Sequence, residues 1–435
     1  MRTSLTLFTV LAVASSMNAA AQSSDSAETP AEASSLAEVA ALALQHDPRT
    51  EAAASQLDLS RASRELALSG FRPSIAFTSS AGQARYEANG FPHPHRDPTG
   101  AALSLVQPVY DFGRTQREVA SANAGVSSAQ AATNAVAIDV IRDAVTAALN
   151  VDLAHRRLDT VTQNARVLAE RLAYTRGKFE AGDFTRTDVA QAEARYSGAL
   201  ALAESARADL VRAQASLDEL IGGPVDVNLG TLPNVAVPSS LPTALASADH
   251  HPELMAAQQT LHSGEESVKA AHAELRPRVD FVGQLGRDDD SRLSLATTDY
   301  WTASLQFSVP IYDRGIARAH IDHAQAVTRG QQAQLAMVHR SLAQRVRSQW
   351  GDLSAAKAEL SAALEQQRAA DVALEGMQAE LDTGLRTVVD LLNAQQEALD
   401  ARLNVLNARY QETASAIRLL AATGELQLNT LGERR

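Results

Sequence analysis

The chain holds 11 His and 51 acidic residues, the raw material for metal or acid–base chemistry, but few of them are spaced to perform it. His93 and His95 stand in Phe91-Pro92-His93-Pro94-His95, where two imidazoles could begin a metal site. The alternating prolines make convergent ligands hard to build, so a solvated loop is the expected reading. His320 and His323 share a helix face at i, i+3, a spacing that can hold a metal. No acid or Cys completes the pattern, and a structural role is expected. Asp288-Asp289-Asp290 reads as a loop that keeps itself solvated. Cysteine is absent, so disulfides and an N-terminal lipidated Cys are not possible. The acids are scattered along helices, and no G-x-S-x-G, P-loop, H-E-x-x-H or glycine-rich dinucleotide motif occurs. We therefore expect no enzyme, no resident metal and no cofactor. A net charge of -12 without a basic stripe argues against a nucleic-acid partner.

What must be positioned, then, is long-range architecture. The 435 residues are 4 % aromatic, rich in Ala, Leu, Gln and Glu, with 22 Gly and 14 Pro, which suggests long helices with small contact residues. Arg2, the apolar run Leu5 to Val13 and Ala19-Ala20-Ala21 predict a secretory signal peptide over 1–21, followed by a flexible tail over 22–35. No later apolar run is long enough to cross a bilayer as a helix.

The same design is written twice, 202 to 204 residues apart. Arg72-Pro73-Ser74-Ile75-Ala76-Phe77 returns as Arg276-Pro277-Arg278-Val279-Asp280-Phe281. Pro108-Val109-Tyr110-Asp111-Phe112-Gly113 returns as Pro310-Ile311-Tyr312-Asp313-Arg314-Gly315. This period is far longer than that of a short-repeat solenoid. It predicts repeats over 36–221 and 242–424, a linker or equatorial region over 222–241 and a C-terminal tail over 425–435.

Each repeat opens with helical stretches broken at Pro48 or Pro252. Period-two alternation then predicts two strands per repeat, at about 73–84 and 100–110 and at about 277–288 and 299–311. Pro73, Pro108, Pro277, Pro310, Gly113 and Gly315 mark the strand–helix junctions. About ten residues suffice for a tilted membrane strand. Four strands cannot close a barrel, so copies must share one: two would give eight strands and three would give twelve. Helical hairpins follow over 111–221 and 313–423. Ala144, Val151, Leu158, Ala165 and Leu172 recur every seven residues, which predicts coiled-coil packing of a helix roughly 100 Å long.

With its paired Arg-Pro strand starts, its Pro-x-Tyr-Asp strand exits and Gly384-Leu385-Arg386-Thr387-Val388-Val389-Asp390, the chain resembles the TolC family of outer-membrane efflux proteins over nearly its whole mature length. The resemblance implies a mainly α protein with membrane β: a twelve-stranded barrel, four strands per protomer of a homotrimer, continued by an internally duplicated α-helical coiled-coil barrel. It implies residence in the outer membrane of a Gram-negative bacterium, in contact with its lipid. It implies a passive exit duct of a tripartite efflux pump or a type I secretion system, for which a periplasmic adaptor (a membrane fusion protein) and an inner-membrane pump of the RND, ABC or MFS type supply the energy. The turns Gly182-Asp183-Phe184 and Gly384-Leu385 would dock the adaptor. Arg386, reaching Thr187 of a neighbouring copy, and Asp188 would latch the closed tip, although Leu381 stands where the family has the tyrosine partner of Asp188. Asp390 would form a cation-attracting ring, and Asn393 replaces the second acid. The rival readings are a soluble periplasmic coiled-coil adaptor, against which the strands speak, and a surface adhesin.

Overall fold

The structure, a computed structural model, describes residues 31–33, 35–85, 95–96, 98–233, 235–290, 297–383 and 385–431. The expected signal peptide, His93 and Gly384 lie outside these. In chain order the elements are β1 (Ala31–Ala33), α1 (Leu36–His46), α2 (Pro48–Ser69), β2 (Ser74–Ala81), β3 (Ala84–Arg85), β4 (His95–Arg96), β5 (Pro98–Tyr110), α3 (Arg114–Glu180) and α4 (Arg186–Ile221). Then come β6 (Val225–Val227), α5 (Leu241–Ala248), α6 (Pro252–Ala273), β7 (Arg278–Asp290), β8 (Thr298–Ser308), α7 (Ile316–Asp382), α8 (Val388–Thr423) and α9 (Leu428–Leu431).

The duplication fixes local structure closely. α3 and α7 are both 67 residues long, α4 and α8 both 36, and α2 and α6 both 22. Each copy starts and stops on the same chemistry. Pro48 and Pro252 occupy first-turn positions, where a missing N–H costs nothing. Gly222 and Gly424 end α4 and α8 at positive φ.

β2, β5, β7 and β8 form one antiparallel sheet in that order. The helices continue from its strand ends as a layer of their own. α2, α3, α6 and α7 lie side by side nearer the strands; beyond them α4 and α8 take over as partners of α3 and α7. The main core sits where these sets meet. There Val39, Ala40, Val145, Leu149, Leu217, Leu229, Ile417 and Leu426 bury together.

Several expectations need correction. The tail over 22–35 is not flexible to its end: Ala31–Ala33 pairs in parallel with Val225–Val227, and Ser35 and Glu38 form a capping box. The linker contributes β6 and buried Val225, Val227 and Leu229, so it belongs to the core. The C-terminal stretch contains α9, with Leu426 and Leu431 buried. β2 stops at Ala81 and β8 at Ser308, leaving Pro310 beyond the strand, whereas Pro108 lies inside β5 at an irregularity of register. Asp288 and Asp289 are not in a loop but pair with Gly100 and Thr99 within the sheet.

Candidate functional site

The sheet is built with two unlike faces. Strand register places Phe77, Leu103, Leu285 and Trp301 in one rung across all four strands, on the same face as Ile75, Leu105, Phe281 and Leu305. Their opposite neighbours form rungs such as Ala76, Ser104, Gln284 and Thr302. The apolar face is uncovered: Phe77 is 69 % exposed, Trp301 75 % and Leu305 69 %. So much exposed aromatic and aliphatic surface is costly in water and favourable in hydrocarbon. Among the described residues, no helix is long and apolar enough to cross a membrane.

The strands hand over to the long helices through two copies of one turn. Asp111 accepts from the N–H groups of Gly113 (3.1 Å) and Thr115 (2.7 Å). Asp313 accepts likewise from Gly315 (2.9 Å) and Ala317 (2.7 Å), and these bonds hold its carboxyl below the ordinary value. The carboxylate ties down the unpaired first donors of each helix. Phe112 and Arg314 take left-handed φ of 55° and 60°, followed by Gly113 and Gly315 at 87° and 85°. The glycine is required there because a side chain would be strained.

At mid-length, sequence reasoning missed a buried polar knot. Asp152 falls on the heptad row of Ala124, Ala131, Ile138 and Val145, where an apolar residue is expected. It accepts from Arg156 Nε (2.9 Å), from the Leu229 N–H (3.4 Å) and from the Tyr410 hydroxyl. Burial and the neighbouring carboxylate push the Tyr410 hydroxyl well above its usual range. Arg156 also donates to the Gly230 carbonyl (3.0 Å), so α3, α8 and the segment just after β6 are pinned together. An acid within an apolar heptad row was the available signal.

The far end holds the residues expected to dock and gate. Gly182 turns at φ 87°, Lys178 pairs with Asp183 at 3.0 Å, and Phe184 sets its ring edge-on to Tyr174, 6.2 Å away. Leu381 joins Phe184 and Val189 around an apolar cluster of Leu168, Leu172, Ala192, Val388 and Leu392 that ties α3, α4 and α8. Leu381 thus serves packing where a tyrosine would offer a hydroxyl. Leu385 is 76 % exposed on the second turn. Thr187 is exposed, and Arg386 pairs with Glu380 of its own chain at 2.8 Å.

Asp188 and Asp390 are the N3 residues of matching capping boxes. Thr185 N and Thr387 N donate to them at 2.8 and 3.1 Å. The Thr387 hydroxyl and N–H hold the Asp390 carboxyl below its ordinary value, so it is charged at neutral pH. Asn393 accepts from Arg195 of the other hairpin at 2.8 Å, a contact the sequence did not reveal. His320 binds Glu274 at 2.9 Å, which corrects the expectation that it has no acid at hand. Among the described residues no cluster of metal-ligating side chains occurs.

The sequence matches the model of the family described as outer membrane efflux protein over residues 39–223 and 245–425. The chain belongs to that family. It is 28 % identical to the outer membrane efflux protein BepC of Brucella suis over 373 residues, 84 % of this chain and 80 % of that protein. It is 27 % identical to the outer membrane protein TolC of Escherichia coli, with 78 % of this chain and 71 % of that one aligned. The solved structure of VceC from Vibrio cholerae superposes with a TM-score of 0.78 at 18 % identity, covering 89 % of this chain and 96 % of that one. This efflux protein accordingly has the TolC-like fold. It is an outer-membrane exit duct of a Gram-negative bacterium, with strands in the membrane and helices reaching into the periplasm. Members of the family are channels rather than enzymes.

Proposed function

We propose that three copies of this chain build one duct. The observation that carries this is the pair of open sheet edges: among the described residues β2 pairs only with β5, and β8 only with β7. Unpaired backbone N–H and C=O groups are not tolerated in hydrocarbon, so β2 of one copy must meet β8 of the next. Three copies supply twelve strands, enough for a water-filled lumen lined by the Ser, Thr and Gln face. The helical layer is open at corresponding edges. Leu59 and Leu66 on α2, Leu200 and Val211 on α4, and Val327, Met337 and Val372 on α7 are all exposed apolar side chains awaiting a neighbour.

The tip turns at 182–184 and around Leu385 receive a periplasmic adaptor coupled to an inner-membrane pump, which supplies the energy. Arg386, Thr187 and Asp188 contribute to closure between copies, and Asp390 lines the narrow end. The native chain has no Cys. Paired cysteines, one at Ser79 on β2 and one at Ala303 on β8, with neighbouring positions scanned for register, should therefore cross-link copies under mild oxidation. The expected product is a covalent trimer in the outer-membrane fraction. Dimers as the end point, or monomer in the soluble periplasmic extract, would overturn the proposal.

A further inference from the structure

The charges at the tip are mostly spoken for. Lys178 pairs with Asp183, Arg386 with Glu380, and Arg176 with Glu193. Asp188 and Asp390 are held by their own N-cap threonines. Arg195 and Arg171 instead donate to amide oxygens, Arg195 Nη2 to Asn393 at 2.8 Å and Arg171 Nη2 to Gln378 at 2.6 Å, and among the described residues no carboxylate pairs with Arg195. Asn393 lies one helical turn beyond Asp390 on α8, on the exposed side, while Val388, Leu391, Leu392 and Ala394 turn inward. An amide can orient a guanidinium but cannot neutralise it. The hydrogen bond therefore carries a full positive charge from the first hairpin onto the polar stripe of the second, directly behind the acid.

We propose that Arg195 is a selectivity residue of the duct: three copies form a cationic level one turn behind the three Asp390 carboxylates. The inference rests on the reading of Asp390 as lining a threefold narrow end. One acid and one base per copy cancel within about a Debye length, roughly 10 Å at 0.1 M salt. The narrow end then has little preference for cations, and it admits anionic and zwitterionic solutes that an acidic constriction would repel.

The test is the reversal potential of the purified trimer in planar bilayers under a KCl gradient near 0.1 M. Wild type should give a K⁺/Cl⁻ permeability ratio near unity. Arg195→Gln should raise that ratio several-fold, Asp390→Asn should lower it below unity, and Arg195→Lys should behave as wild type. All of these differences should fade at 1 M KCl, where the screening length falls to about 3 Å. A purely structural tie between hairpins would change thermal stability without moving the reversal potential. If Arg195→Gln matches wild type while Asp390→Asn shifts the ratio, Arg195 does not face the conduit and the inference fails. If neither variant shifts it, the narrow end is not at Asp390, and that reading fails separately from the trimer, which the cysteine cross-links address.

Discussion

α3 and α7 are the same helix written twice, but they live in different surroundings. Both run for 67 residues and start from the same Asp-x-Gly turn. α3 is buried on nearly every side between 138 and 154, where Ile138, Ile141, Ala144, Val145, Ala148, Leu149 and Val151 all lie in the core. α7 buries a single seam, Val338, Leu342, Val346, Leu353, Ala356 and Ala363. The reason is position in the layer. α3 has helices on both flanks, α2 and α6 above and α4 and α8 below, whereas α7 has α6, α8 and the short α5. The sequence records the difference: Ile138 and Val145 of α3 correspond to Arg340 and Arg347 of α7. One copy of a duplicated helix has become the inside of a protomer, and the other its rim.

The strongest way to break this comparison is to exchange those residues. Val145→Arg puts an unpaired charge at a fully buried site, which costs several kcal/mol, and should abolish accumulation of folded protein in the outer membrane. Arg347→Val, the reverse change on α7, should alter protomer stability by no more than about 0.5 kcal/mol. Comparable losses from both, read by thermal unfolding, would mean that α7 is as enclosed as α3. A smaller effect is expected at the mid-length knot. Tyr410→Phe leaves Asp152 short of a donor and should cost about 1–3 kcal/mol. Ser354→Ala, at the matching position on α7, should be nearly silent in the same melt.

The helix starts offer a comparison in pH. The repeats cap α2 and α6 differently, with Asp47 in the first and His251 in the second. His251 is buried; its Nδ1 accepts from the Glu253 N–H (3.1 Å), so the proton sits on Nε2 and is donated to the Ala421 carbonyl (3.1 Å). Burial lowers its pKa from the ordinary 6.5, against the pull of Glu253 and Asp139 and with the push of Arg345. The unfolded chain therefore takes up this proton first, and stability conferred by the neutral ring is present above 6.5 and lost as pH falls below it. Asp47, hydrogen-bonded by Arg49, is depressed below 3.8 and keeps its contribution until far more acidic conditions. Melting temperature should drop between pH 7 and 5 in the wild type. His251→Asp should melt lower at pH 7 yet show a flatter profile, and an equally steep profile would remove His251 as the cause. The smallest expected effect is at the exposed tip pair: Glu380→Gln should leave the melting temperature nearly unchanged, because solvent screens Arg386.

Much of this was legible beforehand for physical reasons that act locally. Proline at a helix start, glycine at a left-handed stop and an Asp that ties down helix donors work within four or five residues. Both copies therefore display them in register, and the heptad row of Ala144, Val151, Ala165 and Leu172 marks a buried seam directly. Strand ends were less visible, since alternation continues past Ser308 toward Pro310 while pairing stops. At the candidate site, the turns and the acids at 188 and 390 could be named from the motif. The Arg195 to Asn393 contact could not, because it depends on which side chains the packed tip brings within reach across 198 residues.

The sequence by itself therefore determined the duplicated elements, their lengths and the alternating membrane strands, all consequences of short-range backbone chemistry and hydrophobic period. Packing across the whole chain decided that residues 31–33 pair in parallel with residues 225–227. It alone decided that Asp152 is buried with Tyr410, 258 residues away, and that α3 is enclosed while α7 is not. Those outcomes turn on which surfaces meet across hundreds of residues, and equal periodicity in two helices carries no record of how many neighbours each will have.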